Sequence, residues 1–159
     1  MSKNLQFEDR LRLRNLAEFR YELRRFLQFS EGCAAEAGLH PQQHQLLLQL
    51  AGAPDEVETT VSYAAERLGL RHHTVVELSK RCEEAGLIDR YQDTNDRRRI
   101  QLRLTAKGHR VLRVLSENHE RELYELAPRL IGALSVICGP DEQSTKGRRS
   151  TVPARGDYR

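Results

Sequence analysis

The stretch from Ala64 to Thr105 constrains this chain's fold more than any other. It reads as a helix, AAERLGL (Ala64–Leu70), followed by a short turn. A second helix opens at Arg71-His72-His73-Thr74 and continues through VVELSKRCEEAGLI, Val75–Ile88. A two-stranded ribbon follows, LIDRYQDTNDRRRIQLRLT (Leu87–Thr105), with arginines packed at its tip. Ile100, Leu102 and Leu104 alternate with Gln101, Arg103 and Thr105, the period of a strand with one buried face. Thr94-Asn95-Asp96 supplies turn chemistry. A helix pair followed by a basic hairpin suits double-stranded DNA. The second helix can enter a major groove while the hairpin tip reaches the adjacent minor groove.

The flanks read as helices. From about Glu8 to Ala37, Leu16, Phe19, Leu23, Phe26 and Leu27 recur at three- and four-residue steps, with Arg20, Arg24 and Arg25 interrupting or bordering the stripe. Gly32 weakens the late part and Gly38 stops it. Pro41 suits the first turn of a second helix reaching Leu50, which Gly52-Ala53-Pro54-Asp55 breaks. Thr60 is placed to cap a third helix ending near Leu68-Gly69. The fourth spans His72 to Ala85 and stops at Gly86; Val75, Val76, Leu78 and Cys82 face its packing side. Thr105 caps a last helical region, Ala106 to Cys138, which Pro128 is expected to kink or break near Ala127. From Gly139 the chain is polar and rich in breakers, the composition of a disordered tail.

The expected fold is therefore mainly α, a winged helix-turn-helix with a two-stranded β wing. Expected divisions are an N-terminal dimerisation helix (1–37), the DNA-binding domain (38–108), C-terminal dimerisation helices (109–138) and the tail (139–159). The outer helices each carry one apolar stripe. Packing them against the same pair of a second subunit would complete both stripes in an isologous homodimer.

Composition narrows the function. A hydrophobic share of 38% against 31% charged fits a helical protein with broad solvated faces, or one whose core a partner subunit completes. Tryptophan is absent and aromatics reach only 6%, so stacking on single strands is poorly supplied. The net charge of +3 permits nucleic-acid binding without demanding it. Its distribution says more, because Arg97, Arg98, Arg99, Arg103, Lys107 and Arg110 fall in one interval without an acid. Cys33, Cys82 and Cys138 lack CxxC spacing and suit a reducing cytoplasm. No secretory leader is read in the first residues, and no apolar run approaches the ~20 residues of a membrane helix. There is no P-loop, GxSxG or HExxH, so neither an enzyme nor a cofactor is expected. His40 and His44 have a metal-compatible spacing, but Pro41 places His40 ahead of the helix, and no metal is expected.

These residues resemble the MarR family of bacterial winged-helix transcriptional regulators. The likeness runs from roughly Leu16 to Ile137. Its strongest parts are AAERLGLRHHTVVELSKRCEEAGLIDR and the wing DTNDRRRIQLRLTAKG, with Asp96-Arg97-Arg98 followed by Leu104-Thr105-Ala106-Lys107-Gly108. GLHPQQHQLLLQLAG also looks like the family's second helix. Tyr63-Ala64 departs from the Glu-Leu pair of many members, which touches the packing of the third helix only. The resemblance implies a triangular homodimer on a pseudo-palindromic operator, with Arg98 in the minor groove and Asp96 orienting it. It also implies that an effector could bind between the dimerisation and DNA-binding regions. Some relatives sense oxidants through a first-helix cysteine, a role Cys33 could fill only with a basic neighbour to lower its pKa.

Each candidate has a role and a plainer alternative. Arg98 reads minor-groove shape, or caps a solvated hairpin. Arg97 and Arg99 contact phosphate or orient the wing. Arg71, His72, His73 and Thr74 meet the groove at the helix start, although Thr74 could instead turn inward. Lys80 and Arg81 reach phosphate, and Glu77 accepts from a cytosine amine or is solvated. Arg90 clamps a phosphate or supports the wing. Tyr21, Phe29, His40 and His44 are effector candidates by chain position alone. The expected function is a sequence-specific regulator, in the repressing sense most common in the family. The alternative is a winged-helix protein acting through protein contacts or DNA architecture.

Overall fold

The computed structural model describes residues 2–93, 96 and 99–138, with side chains from residue 9 onward. The chain order is α1 (Ser2–Glu36), α2 (Pro41–Ala51), α3 (Val61–Leu68), α4 (His72–Glu84), β1 (Ile88–Gln92), β2 (Ile100–Leu104) and α5 (Ala106–Cys138). Two compact units result: the described parts of Met1–Glu22 and Pro128–Arg159 form one, and Leu23–Ala127 the other.

Local chemistry sets the boundaries. Gly38 adopts φ 73, a left-handed conformation that most residues resist, and ends α1 with Leu39 N–H donating to the Ala34 carbonyl at 2.8 Å. His40 caps α2: its Nδ1 accepts from Gln42 N–H at 3.3 Å, and Gln43 returns the bond to His40 N–H at 2.9 Å. Thr60 caps α3 by accepting from Tyr63 N–H at 3.1 Å. Thr105 caps α5 by accepting from Gly108 N–H at 3.0 Å. Replacing Thr60 by alanine should cost about 1 kcal/mol of stability; an unchanged urea midpoint would show that water replaces the cap.

Two expectations need correction. The first helix starts at Ser2, well before Glu8, because no breaker interrupts its opening residues. Pro128 lies inside α5 without ending it, so of the expected kink or break the break does not occur. Proline removes the bond to the Tyr124 carbonyl, but both residues are on an exposed face where solvent can serve that carbonyl.

The core of the larger unit joins α2, α3, α4 and the ribbon. Leu46, Leu47, Val61, Ala64, Val75, Leu78, Cys82, Leu87, Ile88 and Leu102 are all nearly inaccessible to solvent. Ala34 of α1 and Leu112 and Leu115 of α5 extend the same cluster. The strands pair antiparallel in the register Ile88↔Leu104, Arg90↔Leu102 and Gln92↔Ile100. The segment before α3 adds a contact that the sequence did not announce. Leu102 N–H donates to the Thr59 carbonyl at 2.7 Å, and Thr59 Oγ1 donates to the Leu102 carbonyl at 2.6 Å. β2 is thereby held on both edges.

Candidate nucleic-acid interface

The turn between α3 and α4 depends on Gly69, whose φ of 64 reverses the chain. α4 then buries Val75, Leu78, Ser79 and Cys82. The opposite side leaves Arg71, His72, His73, Glu77, Lys80 and Arg81 exposed, with Thr74 half-buried. Arg71 occupies the N-cap without a side-chain hydrogen bond, unlike the caps of α2 and α3. The first N–H groups of α4 are thus available to an acceptor such as phosphate. Lys80 Nζ pairs with Glu77 at 2.7 Å, and this lysine, first by hydrogen bond and then by charge, lowers the Glu77 carboxyl below its usual pKa.

Arg90 lies on β1 with its side chain largely buried, and its Nη1 meets Glu83 at 3.4 Å. This placement braces the wing against α4, in line with the supporting role, while Nε is buried without a partner among the described residues. At the start of β2, Arg99 pairs with Glu58 across 41 residues of chain, which ties the wing to the segment before α3. Its backbone also closes the hairpin: Arg99 N–H donates to the Asp96 carbonyl at 2.8 Å, and Asp93 N–H donates to the Arg99 carbonyl at 3.0 Å. Asp96 is exposed and its N–H donates to Asp93 Oδ1 at 3.3 Å. Arg98, on which the minor-groove reading rests, and Arg97, expected to contact phosphate or orient the wing, lie outside the described residues.

The sequence reading also passed over an ordered patch on the wing. Register and alternation put Asp89, Tyr91, Gln101 and Arg103 on one face. There the Arg103 guanidinium sits 5.4 Å from the Tyr91 ring centre, and Tyr91 Oη donates to Asp89 at 3.3 Å. Period-two alternation was available on β1 as on β2, so the face could have been found. The Glu58 partner could not, because its proximity to Arg99 is created by the fold.

The ribbon base is joined to α4 by the opening of α5. Thr105 Oγ1 donates to the Gly86 carbonyl at 2.7 Å, and Lys107 Nζ donates to the Ala85 carbonyl at 2.7 Å. At Gly108 an added Cβ would stand 2.1 Å from the Leu87 carbonyl oxygen. The Leu-Thr-x-x-Gly pattern therefore has a physical purpose: it lets a helix start in direct contact with the wing.

The effector candidates separate. Phe29 lines a groove of about 290 Å³ with Cys33, Glu36, Asn118, Arg121, Glu122 and Glu125; Tyr21, His40 and His44 do not line it. Tyr21 is exposed on α1, and His40 is engaged as a cap. His44 is buried and stacked on His119. Burial, then the charges of Glu36 and Glu122, raise the Cys33 thiol pKa, which opposes thiolate chemistry. Cys82 is pushed up to about 11 by burial, as suits a core residue. Cys138 is exposed. Among the described residues, no helix is long and apolar enough to cross a membrane, and no cluster of three metal-binding side chains occurs.

A family model described as "MarR family" matches residues 37–99. No curated protein matches the chain. Among solved structures, a MarR family protein from Bacillus stearothermophilus is 25% identical over 79% of this chain and 81% of its own, with a TM-score of 0.60. The PcaV transcriptional regulator from Streptomyces coelicolor is 29% identical over 73% of this chain and 86% of its own, with a TM-score of 0.54. A point mutant of S. aureus MepR, bound to an oligodeoxyribonucleotide, is 23% identical over 69% of this chain and 79% of its own, with a TM-score of 0.58. With the helix pair, the wing and the flanking helices in this order, the chain has the winged-helix fold of these proteins, and its residues 37–99 match the MarR family.

Proposed function

We propose that the chain is a cytoplasmic repressor that binds a pseudo-palindromic operator as a homodimer. The observation that carries this reading is the exposed face of α4, where Arg71, His72 and His73 surround an uncapped helix start. Thr74 and Glu77 would read base edges there, while Lys80 and Arg81 hold phosphate. Arg98, oriented by Asp96, would enter the minor groove beside them, while Arg97 would contact phosphate or orient the wing. Arg90 and Arg99 would keep wing and helix in register through Glu83 and Glu58. The DNA-bound MepR mutant of the same fold supports this use of the scaffold.

Dimerisation would use α1 and α5 from residues 1–37 and 109–138, around a DNA-binding domain of 38–108. Leu13 on α1 and Ile131 on α5 are each more than 60% exposed in the single chain, and a symmetric partner would cover them. The two recognition helices would then fall one DNA turn apart, or a multiple of it. The tail expected over residues 139–159 lies outside the described residues. A small-molecule effector in the groove of Phe29 and Arg121 would shift the operator-binding population.

The test is a titration of the purified protein against its own upstream promoter DNA at several salt concentrations, with a scrambled duplex alongside. Tighter promoter binding is expected; equal, steeply salt-dependent binding to both duplexes would instead mean an architectural role. Arg98→Ala should weaken promoter binding by about 1–3 kcal/mol with the fold intact. Full retention of affinity would remove Arg98 from the mechanism. Lys80→Ala should lower the slope of log K against log salt by about 1 and weaken both duplexes alike. A loss confined to the promoter would make Lys80 a base reader.

A further inference from the structure

Six histidines occur in the chain, and the DNA-binding reading uses two of them. A different two meet in the interior. His44 of α2 and His119 of α5 stack with ring centres 4.9 Å apart and planes 11° from parallel. His44 is 2% and His119 8% exposed. Phe26 and Phe29 of α1 close the site edge-on at 5.9 and 6.0 Å from the His119 ring. The backbone of Leu115 and Ser30 favours a charged His119, but burial outweighs it. Nε2 of His119 and that of His44 are both buried without a partner among the described residues.

This arrangement suits neutral rings only. Ring N–H bonds point in the ring plane, so two parallel stacked imidazoles cannot donate to one another. A proton added at either Nε2 would create a buried cation with its new N–H aimed at no acceptor. Among the described residues, His119 is the group whose charge acts on His44. α1 contributes the rings of Phe26 and Phe29 and the Ser30 backbone to the surroundings of His119, and α5 contributes the Leu115 backbone.

We propose that the His44–His119 stack is a proton-operated latch, which holds α2 against α1 and α5 when neutral and releases it when charged. The principal packing partners of α2 are α3, α4 and β2, so the released body would carry the helix-turn-helix with it. That consequence rests on the DNA-binding reading above. Acidification is thus a second input to the same surface, independent of any small molecule. Burial holds both imidazoles below their ordinary value of 6.5, in the same sense as the geometry. At pH 5.5 an opened ring with an ordinary pKa would gain about tenfold over the closed form, and both rings together up to about a hundredfold.

The experiment has two arms on the full chain. In the first, imidazole nitrogen shifts and amide exchange are followed by NMR from pH 7.5 to 4.5. Two histidines should stay neutral below pH 6, and exchange in α2 should rise as they charge. Titration of all six rings near 6.5, or charging of the pair with α2 exchange unchanged, would overturn the latch. In the second, upstream promoter binding is compared at pH 7.5 and 5.5 for the wild type and for H44L/H119L, which keeps the other four histidines. The wild type should lose affinity relative to the variant, by as much as about tenfold to a hundredfold, the gain of the open form. Parallel pH dependence would overturn the proposal. Should the double variant fail to fold, His44→Gln serves in its place. Absence of promoter binding at pH 7.5 in every form would reject the regulator reading, and the NMR arm then decides the latch alone.

Discussion

Alanine in place of Gly108 should destabilise the protein by about 3 kcal/mol or more, and lower its melting temperature by roughly 10 °C. Helix propensity argues the other way, since Gly→Ala inside a helix ordinarily gains up to about 1 kcal/mol. Sterics decide the sign here. The new Cβ would lie 2.1 Å from the Leu87 carbonyl oxygen and 3.1 Å from its carbon. That carbonyl cannot swing aside freely, because it accepts from Thr105 N–H at 3.0 Å and from Thr105 Oγ1 at 3.2 Å. Relief requires either moving the base of β1 or unwinding the first turn of α5. Urea denaturation of the two proteins measures the difference, and a change below about 1 kcal/mol would mean that the contact is softer than drawn. Gly32→Ala makes the control, because its added Cβ meets nothing within 4 Å. It should be neutral or mildly stabilising.

The second large effect is an acid-dependent loss of stability. Burial, and after it the neighbouring His119, lower the His44 pKa from 6.5 to about 4. The unfolded chain therefore takes up this proton before the folded one does. Stability from the neutral ring is complete above pH 6.5 and is lost as the pH falls towards 4. One such group removes about 2 kcal/mol by pH 5 and about 3 kcal/mol by pH 4. His119 shifts in the same direction and adds to the loss. Urea midpoints of the wild type and His44→Leu, measured from pH 7.5 to 4.5, should diverge as acid is added, with the wild type falling more steeply. Curves that stay parallel would mean that His44 is as easily protonated folded as unfolded.

The fold was largely legible because its punctuation is local. Gly38, Thr60, Gly69 and Thr105 mark boundaries through properties of their own backbone or hydroxyl, and each boundary fell where such chemistry predicts. The alternative of a break at Pro128 did not hold because the cost of an interior proline depends on whether the freed carbonyl reaches solvent, which one sequence does not state. In the candidate site, the exposed face of α4 followed from its period. The engagement of Arg99 with Glu58 and of Arg90 with Glu83 did not, because those partners meet only after the ribbon has folded back. The same holds for His44 and His119, which are 75 positions apart in the sequence and share a stack. His40 and His44 looked like the natural pair by spacing, yet one caps a helix outside and the other is buried within.

The junction at Thr105, Lys107 and Gly108 bears on how such proteins can be recombined. The winged helix-turn-helix does not finish where its last strand does. Its closing contacts, to the carbonyls of Ala85, Gly86 and Leu87, come from the first turn of the following helix. A chimera spliced at Leu104 would pair one parent's wing with another's clamp, at a contact where Gly108 leaves no room for a Cβ. A splice beyond Gly108, in the exposed turn at His109 and Arg110, would transplant the reading head together with the fitting that seats it.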